Sequence, residues 1–330
     1  LRPHAVAPLV ALTIGDTAGI GPEIALHALQ APALQAAVRL VVLGPERWRP
    51  SHVPLADVSR PDALSEQQGH AWLATSDHGP IQVGSVQRAA GLESLAALRA
   101  GHELASAQQV GALVTGPVSK EALRLAGEAV EGQTELLGRW CAVQRFEMLV
   151  IAGRLRTMLC TRHMPLRQAL LTVTTPLVLD RILLLDESLR GFGVPTPRLA
   201  VCGWNPHAGE NGVLGSEDQD ILAPAIAAAR ARGVCVDGPV SPDSVFRLAA
   251  RGEWDGVVSL WHDQAFIAAK LLDPEGGVTV LCGLPYVRVS PVHGTAMDIA
   301  GKGLADPTNL VSAVLQAAAW ARPAIPAAAP

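Results

Sequence analysis

The sequence predicts an α/β fold in which parallel strands alternate with crossover helices, and three observations carry that expectation. Short runs of Val, Leu and Ile alternate with Ala- and Leu-rich runs along almost the whole chain. Hydrophobic residues make up 49% of the sequence but aromatic ones only 4%, so aliphatic side chains must do the packing, as they do where helices cover a sheet. At 330 residues the chain is also long for one core and suits two domains.

The elements follow in order. LVALTI (9–14) reads as a buried strand, and PEIALHALQ (22–30) as a helix with Pro22 in its first turn and Glu23 beside its positive end. VRLVVLG (38–44) is a second strand, SLAALRAGHELASAQ (94–108) a helix, and GALVTGPVSKEALRLAG (111–127) a strand, turn and helix. MLVIAG (148–153) and LRTMLCT (155–161) are further strands, followed by the helical PLVLDRILLLDESLRGFG (176–193). Then come the strand PRLAVCG (197–203), the helix SEDQDILAPAIAAARARG (216–233), VVSLWHDQ (257–264), which runs from a strand into a polar turn, and a closing helix NLVSAVLQAAAW (309–320). No internal repeat is present. PAIPAAAP (323–330) reads as a frayed tail, and the N-terminal segment leads into the first strand without a signal-peptide cleavage pattern. Breaks near Gly127–Gly132 and Gly276–Gly283 would divide the chain into one domain of residues 1–128 plus 284–330 and an inserted domain of residues 129–283.

The net charge is −4, with a pI near 6.2, and no block of Lys and Arg gives the electrostatic footprint of a nucleic-acid binder. The most apolar stretch, TPLVLDRILLLDESL, is broken by Asp180 and Asp186 and is shorter than the roughly 20 residues a bilayer requires. A small-molecule ligand is expected, with neither nucleic acid nor membrane as partner. Cys141, Cys160, Cys202, Cys235 and Cys282 are odd in number and widely spaced, which indicates no disulfide framework or CxxC metal site and fits a reducing cytoplasm.

Three histidines share one context. His163 follows LRTMLCT, His207 follows LAVCGWNP and His262 follows VVSLW, so each sits just past a strand that could end on one face of a sheet. Converging imidazoles there would form a divalent metal site with positions open to substrate. Spacing alone also allows capping or surface histidines. GDTAGIGPE has Gly19 and Gly21 between strand and helix but no third glycine of a dinucleotide fingerprint, and GPVSK (116–120) lacks the P-loop pattern, so tight turns account for both. HGTAMDIAGKGLADP (293–307) is small, polar and suited to close backbone approach to a ligand. Gln133 and Thr134 at a helix start, with Lys270 and Arg288, offer donors and charge for an anionic group.

Taken together, GDTAGIGPE, ALVTGPVSK, GQTE, TRHMPLR, AVCGWNPHAGENG, GPVSPDSVF, WHDQ and HGTAMDIAGKGLAD resemble, in order from Gly15 to Asp306, the motifs of the 4-hydroxythreonine-4-phosphate dehydrogenase family of pyridoxine-phosphate biosynthesis. Two of the segments are also similar to those of the isocitrate and isopropylmalate dehydrogenases, which implies two α/β/α domains of that type. The resemblance implies an NAD-dependent (or NADP-dependent) homodimer with a shared active site and one divalent metal (Zn, Mg, Mn or Co) held by His163, His207 and His262, with ligands contributed across the dimer. It implies substrate contacts from Gln133, Thr134, Lys270, Thr279 and Arg288, and active-site acids at Asp243 and Asp263, with Lys270 or an aspartate taking the proton. The cofactor would be held by the loop containing His293, Gly294, Thr295, Asp298, Gly301 and Lys302.

Two positions depart from the family pattern: Gln133 stands where a histidine is usual, and Thr279 where an asparagine is usual. Gln cannot become cationic and Thr is shorter with a single hydroxyl. The expected reaction is oxidation of 4-hydroxythreonine 4-phosphate with decarboxylation to 3-amino-2-oxopropyl phosphate. Threonate or erythronate 4-phosphate, or a cyclic dihydrodiol carboxylate, are the alternative substrates. A metal-dependent hydrolase, which would need no NAD, and a non-catalytic binding protein are the rival classes.

Overall fold

The computed structural model describes residues 7–58, 64, 69–129 and 132–323. Residues 1–6 and 324–330, which include most of the two expected tails, lie outside the described residues. The chain forms two compact units, Leu1–Gln144 with Leu284–Pro330, and Arg145–Gly283.

In unit 1, β1 (Leu9–Thr13), β2 (Arg39–Pro45), β3 (Ala56–Asp57), β4 (Ala71–Thr75), β5 (Ala112–Thr115) and β12 (Val287–Pro291) pair in the order β3-β4-β2-β1-β5-β12. Every pairing among them is parallel. All five residues of β1 and all four of β5 are buried, as expected of strands covered on both faces. α3 (Arg88–Ser106) and α4 (Lys120–Leu125) form one covering layer; α1 (Gly21–Gln30), α2 (Pro32–Gln35) and α11 (Thr308–Trp320) form the other. α1 follows the expected pattern: Pro22 lies in its first turn, Glu23 is its first-turn acid, and Ile24, Ala25, Ala28 and Leu29 face inward. α5 (Gln133–Trp140) also belongs to unit 1, which puts the break after Gln144 rather than near residue 128.

In unit 2, β6 (Glu147–Ala152), β7 (Leu155–Leu159), β8 (Arg198–Cys202), β9 (Cys235–Val240), β10 (Gly256–Ser259) and β11 (Val278–Cys282) pair in the order β11-β6-β7-β10-β8-β9. The expectation of parallel strands fails at one side of this sheet. β6 and β7 form an antiparallel hairpin, and β11 also runs antiparallel to β6. The cause is legible in the residues between β6 and β7: only Gly153 and Arg154 connect them, and Gly153 takes φ 56°, too short a link for a crossover helix. The segment near Gly276–Gly283, where the second break is expected, contains the buried strand β11, and the units part just after it, at Gly283. α7 (Thr175–Gly191) and α8 (Ala223–Arg230) pack on one face of the sheet; α9 (Pro242–Ala250) and α10 (His262–Leu272) pack on the other. α6 (Leu166–Thr172) connects β7 to α7. Among the described residues no single helix is long and apolar enough to cross a membrane.

Candidate active site

In unit 1 three motifs gather at the C-terminal ends of the neighbouring parallel strands β1, β5 and β12, the edge where open α/β sheets hold ligands. The GDTAGIGPE loop after β1 is packed against the GPVSK turn after β5: Asp16 N donates to Pro117 O at 2.8 Å, and a Cβ on Gly15 (φ 76°) would lie 2.4 Å from that same oxygen. It also clips the loop after β12, where Ile20 N donates to Thr295 O at 3.0 Å and a Cβ on Gly19 would lie 2.7 Å from it. The glycines are therefore close-approach residues rather than phosphate-cradling ones.

Asp16 is fully buried; its carboxylate accepts from Ala18 N at 2.9 Å and Ser119 N at 3.3 Å, while burial pushes its pKa up. Glu23 reaches from α1 to the polar loop, accepting from Gly301 N at 3.2 Å and Ala305 N at 3.3 Å. Neither acid carried a site signal in the sequence beyond membership of a glycine-rich stretch. Within the loop, Thr295 is half-buried, and Gly294, Asp298, Gly301 and Lys302 are exposed. His293 bonds Gly294 O through Nδ1 at 2.9 Å. A carbonyl accepts only, so Nδ1 carries the proton and Nε2 is left as a buried acceptor with no partner among the described residues.

Arg288, on β12, is 4% exposed and has no carboxylate partner among the described residues. It donates to Thr115 Oγ1 from Nε (3.1 Å) and Nη2 (2.6 Å), and from Nη2 to Gln133 Oε1 (3.4 Å). Burial pulls its pKa down to about 10, leaving it charged at neutral pH. A buried guanidinium whose hydrogen-bond partners are a hydroxyl and an amide oxygen is costly, with the charge of Glu135 offsetting only part of the burial, and it suits an anion. Gln133 opens α5, where its Nε2 donates to Gly116 O at 3.0 Å, so both ends of its amide are engaged. Thr134 follows it, half-buried.

In unit 2 the three histidines follow the C-terminal ends of β7, β10 and β8, which are neighbouring parallel strands. The His163 and His262 rings lie 5.0 Å apart, centroid to centroid, in the wall of a cavity of about 380 Å³ lined also by Arg162, Trp261 and Asp263. His262 stacks on Phe266 at 4.4 Å, and its Nδ1 lies 2.9 Å from Asp263 Oδ1. An ionised carboxylate accepts only, so Nδ1 is the donor, which leaves the Nε2 lone pair of a neutral ring available. Two imidazoles bound to one ion at about 2.1 Å place their centroids about 4.5–5.5 Å apart, so this pair fits two ligands of a divalent ion. Among the described residues no three His, Cys, Asp or Glu side chains of one chain gather to hold a metal.

His207 sits in a turn, Pro206–Gly212, whose residues His207, Ala208, Gly209, Glu210 and Asn211 all have φ between 43° and 75°. That run of left-handed residues is held by buried Asp218, whose carboxylate accepts from Trp204 N at 2.7 Å and Asn205 N at 3.0 Å. Gln264 ties the β10 end to the β8 end by donating to Gly203 O at 3.1 Å while accepting from Leu260 N at 2.8 Å. Sequence reasoning missed both; Gln264 stands inside WHDQ and could have been read as an anchor.

Asp243, in the first turn of α9, accepts from Ser241 Oγ at 2.5 Å. That hydroxyl, with a smaller contribution from the charge of His207, holds the carboxyl below the usual range. Asp243 and Asp263 both line an apolar groove of about 750 Å³ between α9 and α10. Lys270 is exposed in the last turn of α10, and Thr279 is buried in β11.

Comparison with known proteins shows the family. The family model for pyridoxal phosphate biosynthetic protein PdxA matches residues 27–317. A 4-hydroxythreonine-4-phosphate dehydrogenase of Desulforapulum autotrophicum is 37% identical over 322 residues, covering 94% of this chain and 95% of its own. A D-threonate 4-phosphate dehydrogenase of Cupriavidus necator is 35% identical over 323 residues, covering 94% and 96%. The crystal structure of 4-hydroxythreonine-4-phosphate dehydrogenase from Klebsiella pneumoniae superposes with a TM-score of 0.87 at 38% identity, over 96% of this chain and 100% of that one. The chain belongs to the PdxA family.

Proposed function

We propose that the chain is an NAD-dependent (or NADP-dependent), divalent-metal-dependent oxidoreductase that converts 4-hydroxythreonine 4-phosphate to its 3-oxo acid, which decarboxylates to 3-amino-2-oxopropyl phosphate. The observation that carries this reading is the His163–His262 pair at the ends of adjacent strands, with Asp263 fixing the His262 tautomer. The fit of two imidazoles rather than three within one chain is in keeping with a homodimer whose active sites are shared, His207 completing the set from the other protomer. A divalent ion (Zn, Mg, Mn or Co) held by His163, His207 and His262 would supply Lewis acidity toward the substrate hydroxyl, and bound NAD would supply the hydride acceptor.

The chain's own groups do the rest. Arg288, held by Thr115 and Gln133, binds the phosphate, with Thr134, Lys270 and Thr279 as further substrate contacts. Asp263 or Lys270 takes the hydroxyl proton. Asp243 is the weaker base of the catalytic set, because the Ser241 hydroxyl holds its carboxyl below the usual range. The loop from His293 through Gly294, Thr295, Asp298, Gly301 and Lys302 holds the cofactor, and the orphaned Nε2 of His293 gives a ligand donor a place to bind. The protein works in the cytoplasm, on a small phosphorylated hydroxy acid.

A second reading, oxidation of threonate or erythronate 4-phosphate, is favoured by Gln133: its amide is spent on Gly116 O and Arg288, and it cannot supply the positive charge of a histidine. NADH formation by the metal-loaded protein with 4-hydroxythreonine 4-phosphate, beside threonate and erythronate 4-phosphates and a dihydrodiol acid, tests both. Turnover of the first supports the biosynthetic assignment. Turnover of another compound alone moves the protein to a different substrate, and no NADH from any compound contradicts the dehydrogenase reading.

A further inference from the structure

The cavity that holds the His163 and His262 rings has one charged wall that the proposed reaction does not use. Arg162, the residue before His163, lines it with a quarter of its side chain exposed, 26%. Its position is fixed from behind. Arg162 Nε pairs with Glu147 Oε1 at 3.1 Å, and its guanidinium lies over the Phe146 ring, 5.8 Å from the centroid. Glu147 is itself buried, with a side chain 3% exposed, and its other oxygen pairs with Arg181 Nη2 at 3.2 Å. Arg181 is 14% exposed and continues through Asp180 to Arg145 and Glu187.

This network of three carboxylates and three guanidiniums is balanced in charge, and Arg162 is its one member on the cavity wall. A ligand in the cavity therefore meets the positive end of the network. Glu147 has partners besides Arg162: Arg181 pairs with its other oxygen, and Met148 N donates to Oε1 at 2.8 Å. A guanidinium beside two imidazoles suited to a cation is unfavourable by itself; Glu147 and Asp263 offset part of that cost, and a substrate carboxylate set between them would offset more.

We propose that Arg162 is a specificity-determining residue that pairs with the carboxylate of the substrate, the group next to the carbons whose oxygen or nitrogen atoms approach the histidine pair. The inference rests on the reading of that pair as the reacting centre and adds to it a requirement for a carboxylic acid end. Glu147 acts through Arg162 as a positioning residue, fixing the plane of the guanidinium so that a bidentate carboxylate meets it in register.

The test is direct binding, without NAD, to metal-loaded protein by calorimetry. D-threonate 4-phosphate is compared with D-threitol 4-phosphate, which keeps the phosphate and the configuration of the hydroxyls but has CH2OH in place of the carboxylate. Arg162→Met retains the apolar stem over Phe146 and removes the charge. The expected result is a loss of about ten- to a hundredfold in affinity for the acid, with the polyol changed less than about twofold and metal affinity unchanged. Glu147→Gln should give a smaller loss of the same selectivity, and Arg162→Lys should recover part of it. Equal losses for both ligands, no loss for the acid, or a parallel loss of metal affinity would overturn the assignment, because Arg162 would then be a structural ion pair alone. If the wild-type protein binds neither metal nor either ligand, the reading of the histidine pair fails first and the inference falls with it.

Discussion

Asp218→Asn tests how the histidine at the end of β8 is held. His207, Ala208, Glu210 and Asn211 are non-glycine residues with φ of 52°, 53°, 43° and 57°. Each costs about 1–2 kcal/mol relative to a right-handed conformation, about 4–8 kcal/mol for the turn. The opposing contribution comes largely from the buried Asp218 carboxylate, which accepts from Trp204 N and Asn205 N at 2.7 and 3.0 Å. Hydrogen bonds to a charged acceptor contribute about 1.5–3 kcal/mol each, or about 3–6 kcal/mol together. The two terms are of similar size, so the turn keeps its shape only while both bonds are made. Asparagine keeps one acceptor oxygen and turns an NH2 toward a backbone N–H, which should cost about 2–4 kcal/mol. Urea denaturation measures that loss, and amide exchange at Trp204 and Asn205 should speed up well beyond the change at β8 itself. Stability within about 0.5 kcal/mol of the parent, with unchanged exchange at those two amides, would refute the argument.

Three further expectations follow from the same geometry. Arg288 should give phosphate-ester affinity that is flat between about pH 7 and 9 and falls as pH rises through about 10, where burial has moved its pKa. The same depressed value means that the unfolded chain binds more protons than the folded one between about pH 10 and the ordinary arginine range, so this group's contribution to stability rises with pH there; affinity that stays flat to pH 11 would contradict the assignment. Removing the Glu23 carboxylate with Glu23→Ala should raise the KM for NAD severalfold with little change in kcat, and speed amide exchange at Gly301 and Ala305, since the two bonds that hold those residues are lost. Among the thiols, burial pushes Cys160 and Cys282 up to about 12 and Cys202 higher still, whereas Cys235 is exposed. Native protein should therefore lose Cys235 to a thiol reagent within minutes while those three react only on unfolding, as mass spectrometry of the labelled peptides would show.

Much of the fold was legible because strand and helix patterns are local. LVALTI and GALVT are continuous apolar runs of the kind that two-sided burial demands, and they became β1 and β5. The antiparallel hairpin β6–β7 does not show in the alternation of strand and helix patterns, because its signal is only the short Gly153–Arg154 connection. The glycines that flank β11 mark a break in the pattern, and the units part after Gly283. The placement of the histidines after strand ends was also legible, since a polar residue after an apolar run marks the end of a strand. The residues that hold them were not. Asp218 acts from the start of the helical stretch after the turn, and Glu147 holds Arg162, the neighbour of His163, from the other strand of a hairpin. Such long-range partners have no spacing that a sequence displays. Thr115 is a further case: as the last residue of a buried strand it reads as core, yet its hydroxyl takes two donors of Arg288.

The central claim is that a histidine-held divalent ion is needed for hydride transfer to NAD. It is tested most directly by following NADH formation on the chain's best substrate after exhaustive chelation and again after stoichiometric return of Zn, Mg, Mn or Co, with the His262→Ala variant alongside. Chelation should cost at least about a hundredfold in rate, one ion per active site should restore it, and the variant should not recover. A full rate in the presence of chelator, or an unimpaired variant, would contradict that claim.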